Sequence, residues 1–148
     1  MKNKNIFYKI LTLGPIGYLP APGTIATILT GLLIWVIKPQ GIYYTVFAFV
    51  LFVLTLKPFT KCKKLLEDSD PPEVVMDEVW GTIITFAGIL ISIKSIILGI
   101  VIFRFFDISK IWPINRCEKR KGINGVLMDD VVAGLLANLV LRLCLIWI

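Results

Sequence analysis

Carboxylate side chains stand at three points where apolar stretches of the sequence begin or end. Asp77 and Glu78 precede one stretch, Asp107 follows another, and Asp129 and Asp130 precede a third. A single acid at a helix start is explained as a cap that complements the helix dipole. That explanation covers neither the doubled acids nor Asp107, because the end of a helix disfavours an anion. Five carboxylates at one level would repel one another, so we predict that a cation joins them.

The residue types around these acids indicate which cation. Oxygen ligands alone suit a hard ion, and Mg²⁺ is typically held by one or two carboxylates together with waters and substrate phosphate. The chain has no histidine, and its three cysteines form no CxxC pair, so zinc is a poor candidate. Arg104 and Lys110 stand three residues before and after Asp107, on one face of a continuing helix. Their spacing fits structural pairing with Asp107 and contact with a phosphate equally well.

Glycine and proline are concentrated in the stretch 14–24, which ends where an apolar segment begins. Gly23 would let a ligand approach the backbone closely, and free N–H groups at a helix start attract anions. Thr24 is also an ordinary helix N-cap, and the stretch could be only a rigid turn. A second glycine-containing loop, 121–125, leads into Asp129. Further on, Ala133, Gly134 and Ala137 predict a close-packing helix face.

The elements that must position these residues are apolar. Hydrophobic residues make up 57% of the 148-residue chain, and mean hydropathy is +0.83. A soluble helical domain with a large core is the less favoured alternative. We predict an all-α integral membrane bundle of about five short hydrophobic helices, with a break at Ile93–Ser95. Each is shorter than, or barely near, the ~20 residues that span hydrocarbon. The stretches are Ile25–Ile37, Ile42–Leu56, Val79–Ile93, Ser95–Phe106 and Val131–Ile148.

The charges divide unevenly across such a bundle. The net charge is +6, and with the N-terminus inside, thirteen of the sixteen basic residues and all ten acids fall on the inner side. This distribution satisfies the positive-inside rule and predicts a polar site at the cytoplasmic edge. Cys62 and Cys117 should then lie inside and Cys144 near the outside. A basic, strongly apolar chain favours the lipid bilayer over nucleic acid as its partner.

Four motifs in order resemble the phosphatidylglycerophosphatase A family and cover nearly the whole chain. The first is the stretch from Gly17 to Thr24, and the second is Asp70-Pro71 followed by Val74 to Gly81. The third runs from Phe103 to Lys110 and continues through Trp112-Pro113-Ile114. The fourth runs from Gly122 through Asp129-Asp130 to Gly134. The chain departs from the usual family pattern at Ala26-Thr27, Ile111, Glu118 and Ile123.

The resemblance implies one membrane phosphatase domain over residues 1–148, in the bacterial cytoplasmic membrane with its active site facing the cytoplasm. It implies Mg²⁺-dependent removal of the terminal phosphate of phosphatidylglycerophosphate, which gives phosphatidylglycerol in phospholipid biosynthesis. The polar positions that match the family motifs are Asp77, Glu78, Arg104, Asp107, Lys110, Asp129 and Asp130.

The nucleophile is expected to be water. Histidine is absent, no Cys-x5-Arg loop is present, and no Asp-x-Asp pair suggests an aspartyl-phosphate. We expect Glu78 to be the base, and Arg104 and Lys110, with Gly23 and Thr24, to bind substrate. The expected metal ligands are Asp77, Asp107 and Asp129 or Asp130. The alternatives are a phosphatase for another lipid, such as an isoprenoid phosphate, a membrane transporter, and a non-catalytic adaptor. The sequence makes no prediction of oligomeric state.

Overall fold

A computed structural model describes residues 6–68, 71–114 and 123–147, apart from the side chains of 63–68 and 123–126. In these ranges the chain is helical and contains no strand. The helices are α1 (Ile6–Leu11), a 3-10 turn (Ile16–Tyr18), α2 (Pro22–Ile37), α3 (Ile42–Asp68), α4 (Met76–Phe86), α5 (Ile93–Ser109) and α6 (Ile123–Ile146). Four residues named in the predictions above lie outside the described ranges: Asp70, Cys117, Glu118 and Gly122.

The observed boundaries correct several predicted ones. The predicted apolar stretch ended at Leu56, but the helix α3 continues through Pro58 to Asp68. The lysines that follow Leu56 therefore belong to a helix. The apolar stretch that starts at Val79 stops being helical at Phe86, and the next helix already begins at Ile93. The predicted break exists, but it lies before Ile93 rather than at Ile93–Ser95.

The position of this break has a local cause. Gly88 adopts a left-handed backbone with φ of +68°, which glycine tolerates at little cost. Ser92 then caps α5, accepting a hydrogen bond from the backbone N–H of Ser95, while the Ser95 hydroxyl accepts one from the N–H of Ser92. This reciprocal capping box fixes the start of α5.

The short helix α4 is the centre of the fold. Nine of its eleven residues are buried, and it packs against α2, α5 and α6. Gly81 and Gly134 allow α4 and α6 to approach closely, since a Cβ at Gly134 would lie 2.4 Å from the Gly81 carbonyl oxygen. Ala133 and Ala137 are fully buried on the same side, which confirms the predicted packing face. The crossing brings the first turn of α4 beside Asp130.

Side chains of α6 satisfy the carbonyl groups at the other end of α4. The Asn138 Nδ2 donates to the carbonyls of Thr85 at 2.8 Å and of Ala87 at 2.9 Å. Arg142 donates from Nη2 to the Ala87 carbonyl and from Nε to the Asn138 Oδ1, both at 2.8 Å. Buried helix-end carbonyls need such partners. These bonds fix how far α4 and α6 are shifted along each other, and hence how their acids align.

Large apolar side chains remain exposed on the outer faces of α2, α3, α5 and α6. Within the described residues, only Ile42–Cys62 is long and apolar enough to cross a membrane, and α2 is a shorter apolar helix. Because the described residues form helices and no strand, the prediction of an all-helical fold is confirmed. The description "short" is wrong for α3 and α6, which have 27 and 24 residues.

Candidate active site

One cavity of about 270 Å³ collects the polar residues that the sequence singled out. It lies where the N-terminal turns of α2 and α4 meet the C-terminal end of α5 and the first turns of α6. Its polar lining consists of Asp77, Glu78, Arg104, Asp107, Lys110, Asp129 and Asp130. The structure thus brings together all five predicted carboxylates and both predicted cations, although they come from three helices.

Three of the acids form a compact group, which we call the carboxylate triad: Asp77, Glu78 and Asp130. One carboxylate oxygen of each lies within 4.8 Å of one from each of the other two. Asp77 Oδ1 and Glu78 Oε2 are buried and have no hydrogen-bond partner among the described residues. Buried oxygens without partners are costly. These two oxygens are therefore suited to contact a ligand.

Burial and mutual repulsion shape the ionisation of the triad. Burial, reinforced by Glu78 and Asp130, raises the pKa of Asp77 well above its usual range. Burial, reinforced by Asp107 and Glu78, does the same to the pKa of Asp130. Burial also raises the pKa of Glu78, although Arg104 opposes that shift. A divalent cation would relieve the desolvation and the repulsion together.

The other two acids have cationic partners. Arg104 pairs with Asp107 one turn along α5, as the spacing allowed. The Lys110 Nζ lies 3.3 Å from Asp129 Oδ2 on α6. Burial raises the pKa of Asp129, and the Lys110 ammonium counteracts this. These two ion pairs use Asp107 and Asp129, so no carboxylate of the triad belongs to either pair.

The placement of Lys110 corrects one detail of the sequence analysis. The helix α5 ends at Ser109, and Lys110 caps it in a left-handed conformation with φ of 43°. Lys110 therefore does not continue the helical face of Arg104 and Asp107. Its side chain reaches across to α6, which a helical spacing argument cannot foresee.

Gly23 lies in the first turn of α2 and lines the cavity. A Cβ at this position would lie 2.1 Å from Glu78 Oε1 and 3.2 Å from Arg104 Nη1. Only glycine leaves room for both side chains. Thr24, by contrast, does not line the cavity, and it is not the N-cap, because Ala21 holds that position and Pro22 begins the helix. The N-cap interpretation of Thr24 is wrong.

The rim of the cavity contains residues that the sequence motifs included without a role. Ala21 and Pro22 line it from α2, and Pro71, Pro72 and Val74 line it from the segment before α4. Pro71, Pro72 and Val74 are close to Asp77 in the sequence, and Ala21 and Pro22 adjoin Gly23, so these positions were the available signal. The donor set facing the cavity is made of oxygens only, with two of them unsatisfied, so the residues present fit a hard divalent cation. The triad would hold it, with Glu78 in place of the predicted Asp107 and Asp129.

The fold and the cavity define a small all-helical protein with a buried acidic site flanked by two cations. A sequence model of the family "Phosphatidylglycerophosphatase A" matches residues 9–145. The chain is 32% identical to the phosphatidylglycerophosphatase A of Haemophilus influenzae over 162 aligned residues, 99% of each chain. It is also 32% identical to a provisionally named phosphatidylinositol-3-phosphatase of Bacteroides thetaiotaomicron, over 80% of each chain. No solved structure matches the chain.

The chain belongs to the phosphatidylglycerophosphatase A family. The family resemblance that the four motifs indicated is confirmed, and with it the assignment to a family of phosphatases. The individual roles predicted for the site residues remain predictions.

Proposed function

We propose that the protein is a Mg²⁺-dependent membrane phosphatase that removes the terminal phosphate of phosphatidylglycerophosphate to give phosphatidylglycerol. The observation that carries this proposal is the carboxylate triad, whose unpartnered oxygens share one cavity with Arg104 and Lys110. An acidic group alone would repel a phosphate. Acids that hold a cation, beside two further cations, would attract one.

The metal would be held by Asp77, Glu78 and Asp130. When bound there, Mg²⁺ would supply positive charge for the phosphate oxygens and for activation of a water nucleophile. Family membership and the donor chemistry support this choice of ion. If Glu78 is a metal ligand, Asp107 is the alternative base. Its partner Arg104 would then be drawn towards the bound phosphate.

The two cationic side chains of the cavity, Arg104 and Lys110, would bind the phosphate. Arg104 carries a buried Nε without a partner among the described residues, in addition to the Nη1 that contacts Asp107. A guanidinium with free donors suits bidentate phosphate binding, and Lys110 adds a second charge across the cavity. In hydrolysis the water oxygen bonds to phosphorus as the ester bond to the glycerol oxygen breaks. A cavity carboxylate takes a proton from the water and returns it to the leaving glycerol oxygen, so the products are phosphatidylglycerol and inorganic phosphate.

The outer surface supports a bilayer as the surrounding medium. Exposed Leu, Ile, Val and Phe side chains face outward on four helices, and α3 has the length of a spanning segment. Lys57 and Lys61 are exposed near the end of α3 that leads back towards the site. These cations favour the cytoplasmic leaflet of a bacterial membrane for the cavity. The sixteen residues of α2 would span about 24 Å, so the bilayer would thin locally around the protein.

The relative from Bacteroides thetaiotaomicron favours a second candidate substrate. Its provisional name describes a phosphatase for a phosphoinositide, which is another lipid phosphomonoester. The cavity recognises the phosphate group through Arg104 and Lys110, and both substrates carry that group. The reaction class is the same in each case.

A substrate panel tests both candidates. Purified protein in detergent micelles would be assayed for phosphate release from phosphatidylglycerophosphate, phosphatidylinositol 3-phosphate, an isoprenoid phosphate and soluble glycerol phosphate, with Mg²⁺ or with chelator. We expect phosphatidylglycerophosphate to be the best substrate, and we expect activity only with Mg²⁺. Full activity in chelator would overturn the metal proposal, and equal rates on glycerol phosphate would overturn the lipid substrate.

A further inference from the structure

A second concave feature lies outside the polar site, on the seam between α2 and α5. It is an apolar groove of about 310 Å³. Its main lining residues are Ile28, Leu32 and Trp35 from α2 and Ile93, Ile97 and Ile100 from α5. Nothing in the hydrolysis described above uses this groove. Its lining residues are all apolar and carry no charge.

The lining of the groove follows that of the polar cavity along α5. Ile93, Ile97, Ile100 and Arg104 follow one another at intervals of four, three and four residues, so they form one stripe along α5. Arg104 lines the cavity, and Ile100, the next member of the stripe, lines the groove. At 1.5 Å per residue, the stripe is about 16 Å long from Arg104 to Ile93.

The opposite wall shows the same continuity. Gly23 begins α2 beside Arg104, and Gly31 lies two turns further, where a Cβ would be 2.7 Å from the Ile100 Cδ1. The two helices are therefore close at Gly31, and the groove lies on the outer side of this contact. For a molecule with its charged end at Arg104, the apolar groove lies about one helical turn further along α5, in the direction away from the polar cavity.

We propose that this groove holds one acyl chain of the lipid whose terminal phosphate is bound in the polar cavity. The proposal rests on the proposed function and names the part of the same substrate that lies outside the cavity. The surrounding bilayer is as apolar as the groove, so the groove adds little affinity for the chain. Its effect is orientation: a chain held along α5 fixes the direction from which the headgroup reaches Arg104 and the triad.

Filling the groove tests the idea. Ile97 is 58% exposed, so Ile97→Trp can be accommodated while its indole occupies the groove. Leu32→Trp fills the groove from the other wall. The matched control is Leu139→Trp on α6, where the leucine is 57% exposed and does not line the groove. Each variant would be assayed in micelles with phosphatidylglycerophosphate carrying long acyl chains or very short ones.

We expect Ile97→Trp and Leu32→Trp to lower kcat/KM for the long-chain lipid about tenfold, as misorientation of a bound substrate does, and to leave the short-chain lipid unaffected. Leu139→Trp should change neither. If both groove variants keep wild-type rates on the long-chain lipid, or lose both substrates equally, the groove proposal is overturned and the proposed function stands. If the wild-type protein hydrolyses neither lipid, the proposed function itself fails.

Discussion

The Lys110 Nζ lies 3.3 Å from the Asp129 Oδ2, so the end of α5 is tied to the first described turns of α6. Together with the pair Arg104–Asp107, this contact divides five carboxylates into two that are compensated and three that are not. Two adjacent aspartates, Asp129 and Asp130, thereby belong to different groups. On this division rests our proposal that the triad holds the metal and that Arg104 and Lys110 bind the phosphate.

Removing a charge from the triad should abolish the reaction. Asp77→Asn and Asp130→Asn keep the size of the side chain but weaken metal binding, and we expect Mg²⁺-dependent phosphate release to fall at least about a hundredfold. Phosphate release and membrane content would be measured together. Glu73→Gln is the control, since Glu73 interacts with Tyr8 and does not line the cavity. Equal losses in all three variants would exclude a specific role for the triad.

The two neighbouring aspartates should differ in metal affinity. Asp130→Asn removes a triad member, whereas Asp129→Asn removes the partner of Lys110. We expect Asp130→Asn to raise the Mg²⁺ concentration for half-maximal activity by about tenfold more than Asp129→Asn does. Lys110→Met should mainly raise KM for the lipid, because it removes a phosphate contact. A larger metal defect in Asp129→Asn would reverse the assignment of these two residues.

Asp107→Asn tests the pair on α5. The substitution frees Arg104 from its partner, and it removes the residue that could serve as base if Glu78 binds metal. We therefore expect loss of turnover with little change in the Mg²⁺ requirement, measured as a titration of activity against metal. A shift of that titration as large as in Asp130→Asn would place Asp107 among the ligands.

Gly23→Ala should be harmful for a steric reason. The new Cβ would lie 2.1 Å from Glu78 Oε1, so the Glu78 carboxylate must shift within the triad. We expect at least about tenfold lower activity, since displacement of a site group by an ångström has effects of that size or more. Gly41→Ala is the matched control: its φ of +54° makes alanine unfavourable there, but nothing lies near its Cβ. If both variants lose activity in proportion to stability, Gly23 has no special role.

The stability of the protein should depend on pH in a direction set by the triad. Burial raises the pKa values of Asp77 and Asp130, so the metal-free folded protein binds protons more tightly than the unfolded chain. Its free energy of unfolding should therefore fall as pH rises. Mg²⁺ competes with those protons, so the increase in Tm caused by Mg²⁺ should be larger at alkaline than at acidic pH. Thermal unfolding in detergent, with Asp130→Asn as the control, measures this; a Mg²⁺ effect that is independent of pH would contradict it.

The predicted sidedness in the membrane has to be tested with introduced cysteines and not with the natural ones. Cys62 is buried, so its failure to react would say nothing about sidedness, and Cys117 lies outside the described residues. Lys61 and Lys94 are exposed and lie at opposite ends of the bundle. In a cysteine-free protein in sealed right-side-out vesicles, an impermeant thiol reagent should modify Lys94→Cys and not Lys61→Cys. The reverse pattern would place the cavity outside.

Local patterns predicted the acids and the packing face well. The doubled carboxylates and the Ala133–Ala137 face follow from residue type and spacing. The acids meet in one cavity as expected, but Asp129 and Asp130 lie inside α6, which begins at Ile123, and not before it. The break after α4 was misplaced because Ile89 to Ile91 are apolar, and their hydropathy concealed the turn at Gly88. The end of α3 was misplaced because a cluster of lysines resembles a loop, although Pro58 and its neighbours remain helical.

The grouping of the acids could not be predicted from sequence. Which carboxylates meet depends on the Gly81–Gly134 contact, and which are compensated depends on the reach of Lys110 from a left-handed helix end. Both are contacts between elements distant in the chain. Spacing within one helix allowed the Arg104–Asp107 pair and phosphate contact equally, and it placed Lys110 on the wrong face.

The bonds from Asn138 and Arg142 to the end of α4 impose an order on biogenesis. The carbonyls of Thr85 and Ala87 receive their donors from residues that the ribosome adds some fifty positions later. Until α6 has been synthesised, the nascent α4 has neither those donors nor Asp130. In the bilayer that we propose as the surrounding medium, an unsatisfied carbonyl would be expensive, so we expect α4 to reach its final position together with α6. The carboxylates of the polar cavity would then come together only after α6 has been synthesised.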